Sequence, residues 1–261
     1  MAGFADHMGE LANFPDTVMG APWSWRQGGE VLQVRDAFHR TLEGELTQIS
    51  TSAPARQESA ASASMAHADR ALGDLLGLLA GQPDELLDLS PGPGDWDLRT
   101  VLHHVLKVEL NYASAVRWAR LRTPDQPLAL PDELRQQDAS TPADGSLAEI
   151  MARLARARAA TSEFADEIRP DELELPTVWA GHRVDILFRL HRFAAHLTEH
   201  TIQVEKVLHS LDRDPAEARQ VVRATWAARS AHQRRTPEAS IAALDRAIAD
   251  RLPGVRTAAY S

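Results

Sequence analysis

The stretch Leu190–Leu208, LHRFAAHLTEHTIQVEKVL, carries the reading of the whole chain, because it places two histidines on the stripe that a helix turns inward. Phe193, His196, His200, Gln203 and Val207 recur at three- and four-residue intervals and share one face of an α-helix, with Leu190, Leu197, Val204 and Leu208 beside them. One turn separates the histidines, about 6 Å along the axis. Two imidazoles at that spacing can converge on one divalent ion. The spacing is weak evidence alone. With 11 histidines in 261 residues, chance placement gives about half a pair at this separation. A metal site therefore needs a donor from elsewhere in the chain.

Working outward, residues 96–121, WDLRTVLHHVLKVELNYASAVRWARL, predict a second helix with Leu98, Val101, Leu102, Val105, Tyr112 and Val116 inward. Asp95 or Asp97 is placed to cap its free N–H groups. His104 stands at the margin of the apolar stripe, whereas His103 lies on a more polar row between Arg99 and Lys107. His104 is the inward choice, and the flanking Leu106 and Leu110 keep His103 as its alternative.

The other elements are also helical. Met65, Leu72, Leu75, Leu76 and Leu79 predict a helix over about 60–81, ended by Gly81 and Pro83, on which His67 reads as packed or exposed rather than liganding. Ser146 and Glu149 form a capping box that opens a helix through 169, with Leu147, Ile150, Leu154, Ala157 and Phe164 inward. Its arginines, Arg153, Arg156 and Arg158, read as a solvated face rather than a phosphate site. Val31, Val34, Phe38, Leu42 and Ile49 predict an earlier helix, preceded by a largely irregular arm over 1–30, where Trp23 and Trp25 either anchor the arm or line a pocket. TSAPARQES, residues 51–59, reads as an exposed linker. The proline-rich residues 122–145 read as a crossover, and ELELPTVWAGHR, residues 172–183, as an extended loop whose Trp179 and His182 border a pocket. Asp214-Pro215 and Thr236-Pro237 each start a further helix, and neither helix shows polar residues arranged for chemistry. The expected fold is all-α: a four-helix bundle with a crossover connection, plus an N-terminal helix and a C-terminal helical hairpin. The expected divisions are 1–57, 58–210 and 211–261.

Composition narrows the function classes. A net charge of −9 argues against a general nucleic-acid binder, which sets Lys and Arg against phosphates. The absence of cysteine removes disulfides, Cys-ligated zinc and a cysteine nucleophile. The first residues lack a basic segment followed by an apolar one, and no window approaches 18 apolar residues, so a cytoplasmic protein with no membrane partner is expected.

Two motifs carry a resemblance to a known family. In DWDLRTVLHHVLKVE, residues 95–109, a histidine follows eight residues after a tryptophan, Trp96 to His104; in HLTEHTIQVEKVL, residues 196–208, an H-x-x-x-H segment is followed by Gln. Together, over roughly 58–210, they resemble the DinB/YfiT-like superfamily of helical-bundle metalloproteins, which includes the mycothiol-dependent maleylpyruvate isomerase and bacillithiol transferase-like proteins. The resemblance implies His104, His196 and His200 as three ligands of a divalent metal ion, zinc first, with nickel or iron also suited to imidazoles. It implies a metal-dependent enzyme that activates a small thiol or water for a small-molecule substrate, of thiol S-transferase type; a homodimer is compatible with it. A metal-dependent hydrolase, a structural metal and a non-catalytic helical binding or stress-associated protein stand as the alternatives. Glu109 and Glu199 lie near the histidines in sequence as second partners or general bases, and no residue is assigned as catalytic.

Overall fold

A computed structural model describes residues 3–24, 31–51, 59–135 and 144–260. In chain order its main elements are α1 (Phe4–Leu11), β1 (Pro22–Ser24), β2 (Val31–Gln33), α2 (Val34–Thr51), α3 (Ala60–Leu79), α4 (Leu98–Leu121), α5 (Leu147–Asp166), β3 (Pro176–Trp179), β4 (His182–Asp185), α6 (Ile186–Ser210), α7 (Glu217–His232) and α8 (Glu238–Tyr260). The fold is all-α, with two small antiparallel strand pairs, β1–β2 and β3–β4. Local chemistry sets the main boundaries. Asp97 accepts from the Thr100 N–H at the start of α4, Ser146 and Glu149 close the capping box of α5, and Asp185 accepts from the Phe188 N–H at the start of α6.

The chain divides into two compact units. One comprises residues 56–72 and 83–213, so the early turns of α3 join α4, α5 and α6. These four helices share a core in which Met65, Val116, Ala165, Ile186, Leu190 and Phe193 are buried. Each fully buried Leu, Ile or Phe of that set contributes about 1.5–3 kcal/mol relative to exposure. The expected solvated face of α5 needs correction: Arg156 is exposed, but Arg158 is buried, ion-paired with buried Glu109 and stacked over the Phe193 ring. The period of α5 turns this one arginine inward, and a facing carboxylate compensates it.

The loop expected over 172–183 is in part a hairpin. Pro176–Trp179 pairs with His182–Asp185, joined by Ala180 and Gly181 at φ 48° and 82°. Positive φ at both positions is what a two-residue hairpin turn needs. The hairpin leads directly into α6, which starts at Ile186.

The other unit comprises residues 1–55, 73–82 and 214–261. Segments from both halves of the chain share its core, including Met8, Phe14, Trp23, Phe38, Val222, Ile248 and Leu252. The expected irregular arm contains a helix, α1, and a strand, β1, and Trp23 is fully buried in that core. Val31, expected on the buried stripe of the first helix, lies in β2 and is exposed; the helix starts three residues later. The last turns of α3 come close to α7 because they carry glycine: a Cβ at Gly77 would lie 2.6 Å from the Arg223 Cα. Trp25 and most of the 51–59 linker lie outside the described residues. No described helix is long and apolar enough to cross a membrane.

Candidate metal centre

α4 and α6 pack together, and this brings His104 from the first against His196 and His200 from the second. One ring nitrogen from each lies within 4.8 Å of the others. The His196 and His104 Nε2 atoms are 3.2 Å apart, and the His200 ring centroid lies 4.3 Å from that of His196 and 4.7 Å from that of His104. His103, the alternative on α4, is not part of this group. His196 is buried, while His104 and His200 are half-buried.

The donor set can be tested against a divalent ion. Two nitrogens at zinc–imidazole distance and a tetrahedral angle lie about 3.3 Å apart, close to the observed His104–His196 separation. Metal binding also needs neutral rings with their lone pairs free. Burial first, then the neighbouring His200, His104 and Arg192, pushes the His196 imidazole down to about 3. Burial, His200, Lys107 and His103 push His104 in the same direction. His200 Nδ1 and Gln203 Oε1 are 2.8 Å apart. An N–H at Nδ1, donating to that amide oxygen, leaves the lone pair on Nε2, the atom free to bind an ion. The three residues therefore fit a metal ion, whose positive charge an all-imidazole donor set would not compensate.

The surroundings are aromatic and basic. The Trp96 ring lies 5.3 Å from that of His104, so the tryptophan that leads the α4 motif stands beside the histidine it announces. Tyr112 lies one face along, 5.8 Å from His196 and 5.4 Å from Phe193 between ring centroids, and Trp179 Nε1 donates to its hydroxyl at 3.1 Å. Arg192 stacks over Trp179. The two carboxylates near the histidines in sequence are held by arginines: Glu109 by Arg158, and exposed Glu199 by Arg192 at 3.1 Å. Trp179 lines a cavity of about 340 Å³, as expected of a pocket border, while His182 is exposed and does not line it. His67 is exposed. Tyr112 was legible only as a core position and Arg192 not at all, because neither has a spacing that marks chemistry.

A model of the DinB superfamily matches residues 67–204, a span that runs from α3 into α6 and contains all three histidines. The chain belongs to the DinB superfamily. No curated protein and no solved structure matches it. In this DinB chain the match stops short of residues 1–66 and of α7 and α8.

Proposed function

We propose that the protein is a metal-dependent enzyme in which His104, His196 and His200 hold a divalent ion, zinc first, and a small thiol or water is activated for transfer to a small-molecule substrate. The observation that carries the reading is the convergence of three imidazole nitrogens within 4.8 Å, two of the rings held below their ordinary protonation range. The chemistry such an ion supplies is Lewis acidity, by which a bound thiol or water ionises near neutral pH. The chain's own residues prepare this. Gln203 fixes the His200 ring, burial and the neighbouring Arg192 help to keep His196 neutral, and three protein donors leave room for an exogenous ligand. With no cysteine in the chain, a thiol nucleophile has to come from a cosubstrate. The half-buried His104 and His200 give that cosubstrate a path to the centre.

The test is turnover. Protein stripped with chelator and reloaded with zinc is assayed against a panel of low-molecular-weight thiols paired with electrophiles, and against ester and amide substrates for hydrolysis. The expected result is turnover by the zinc-loaded wild type that falls to background in His196→Ala. Equal rates in the two proteins would reject the reading.

A further inference from the structure

Two turns before His196 on α6 stands a buried guanidinium that pairs with no carboxylate among the described residues. Arg189 is 6 % exposed, its Nε has no hydrogen-bond partner, and it lines the cavity of about 340 Å³ together with Tyr112, Leu130, Arg135, Val178 and Trp179. Its guanidinium lies 4.7 Å from the Tyr112 ring centroid. Elsewhere in this unit the buried arginine is compensated, Arg158 by Glu109; the charges that act on Arg189 are instead those of two further arginines, Arg135 and Arg192. Burial, partly offset by Tyr112, together with those two arginines pushes the guanidinium down to about 10, which still leaves it charged at neutral pH. Burying a charge with no counter-ion is costly, so such a group marks a place where an anion belongs.

We infer that this cavity is a binding site for an organic carboxylate, with Arg189 taking the carboxylate oxygens and the aromatic and aliphatic walls taking the rest of the molecule. The chemistry of each part decides the ligand class. A guanidinium fork matches the two oxygens of a carboxylate. Trp179, Val178 and Leu130 offer apolar surface to a carbon body, and the volume suits a small molecule. Arg135 adds a second positive charge at the wall, although Asp132 partly holds it, 2.9 Å away. Seven positions of helix separate Arg189 from His196, about 10 Å along the axis, and the Tyr112 ring lies against both the Arg189 guanidinium and the His196 ring. A substrate or cosubstrate anchored here by its carboxylate is held two turns of α6 from His196, within reach of the three histidines for a molecule that extends along the helix. Only that last use rests on the metal-dependent reading; binding of the carboxylate does not.

The experiment is calorimetric titration of the metal-free full chain, kept in chelator, with benzoate as probe and benzamide as its neutral counterpart. Benzoate is expected to bind, benzamide at least about tenfold more weakly, and Arg189→Met to lose benzoate by a similar factor or more, the scale of one charged hydrogen-bonded contact. Arg189→Lys should retain part of the binding. Because Arg189→Met removes a packed side chain, Ala129→Trp is the second variant: Ala129 is exposed and lines the cavity, so an indole there should block benzoate while leaving the thermal unfolding midpoint unchanged. Absence of benzoate binding to the wild type, equal affinity for benzamide, or undiminished binding by both Arg189→Met and Ala129→Trp would overturn the site. Inorganic phosphate that displaces benzoate more strongly than acetate does would replace the carboxylate with a phosphate ligand, and so also contradict the inference. Since chelator is present throughout, these results are independent of whether the histidines take a metal.

Discussion

Both units bury histidine, and His232 of one and His196 of the other are held in opposite ways. In the unit built from both ends of the chain, His232 has oxygen partners on both nitrogens, Thr236 Oγ1 at 3.0 Å from Nδ1 and Glu45 Oε2 at 2.8 Å from Nε2. Arg229 completes the cluster with two contacts of 2.8 Å to Glu45 and one of 2.9 Å to Asp245. Opposite charges meet, and both nitrogens of the histidine are satisfied. In the other unit, His196 turns Nε2 toward the Nε2 of another histidine, and burial, with His200, His104 and Arg192 as neighbours, opposes a proton on it. The first arrangement is complete without any further group. The second gains from a cation between its nitrogens, which is the physical difference between a histidine that supports the fold and one poised for a ligand.

The Glu45 cluster is the more costly of the two to disrupt. Arg229→Met leaves Glu45, which is 0 % exposed, without its main counter-charge, and should lower unfolding stability by about 3–5 kcal/mol, the usual cost of orphaning one member of a buried pair. Urea denaturation followed by circular dichroism measures this. A loss under about 1 kcal/mol would mean the cluster is not what compensates the buried carboxylate. Metal content should be unchanged in this variant.

A smaller effect sharpens the other side. Gln203→Leu removes the oxygen that orients His200 while keeping the side chain's bulk, and should weaken zinc binding by about 10–100-fold, the range for partners one step beyond the ligands. Competition with a chromophoric chelator reads the affinity. Wild-type affinity in this variant would show that the contact of 2.8 Å does not set the ring.

The smallest expected effect is a pH dependence, and its windows differ. For His196, 6.5 ordinarily and about 3 when folded, the unfolded chain takes up a proton between these values and the folded chain does not. The stability of the metal-free protein therefore falls as pH drops below about 6.5. Glu45 is driven up by burial but carried below its ordinary 4.5 by the hydrogen bonds of His232 and Arg229 and by their charge. Its contribution is present above pH 4.5 and is lost below that value. Thermal unfolding at pH 7.5 and 5.5, with chelator present, should show a loss in the wild type that shrinks in His196→Ala and persists in Arg229→Met. Identical losses in all three would contradict the assignment.

What was legible in the sequence follows the same division. His196, His200 and Gln203 lie on one turn-repeated face, and Asp97, Ser146 and Glu149 act within three residues of their partners, so periodicity and capping expose them directly. His104 could be preferred over His103 only by its place on a stripe, and the tryptophan-led motif strengthened that preference. The Glu45 cluster joins residues 184 and 187 positions apart; no local pattern in α7 reports a carboxylate waiting on α2, and these helices therefore read as free of polar organisation. Arg158 was hidden among alternating arginines, because only Glu109 on a neighbouring helix distinguishes the inward one from the solvated ones. The hairpin after Pro176 escaped because four-residue strands are too short for a two-residue period to stand out, although Ala180-Gly181 marks its turn.

Whether the three histidines hold a metal ion is read by elemental mass spectrometry of untagged protein, wild type beside His196→Ala. About one divalent ion per wild-type chain and none in the variant, with both proteins folded, is the expected result. No stoichiometric ion in the wild type, even after reconstitution with zinc, nickel and iron, would contradict it.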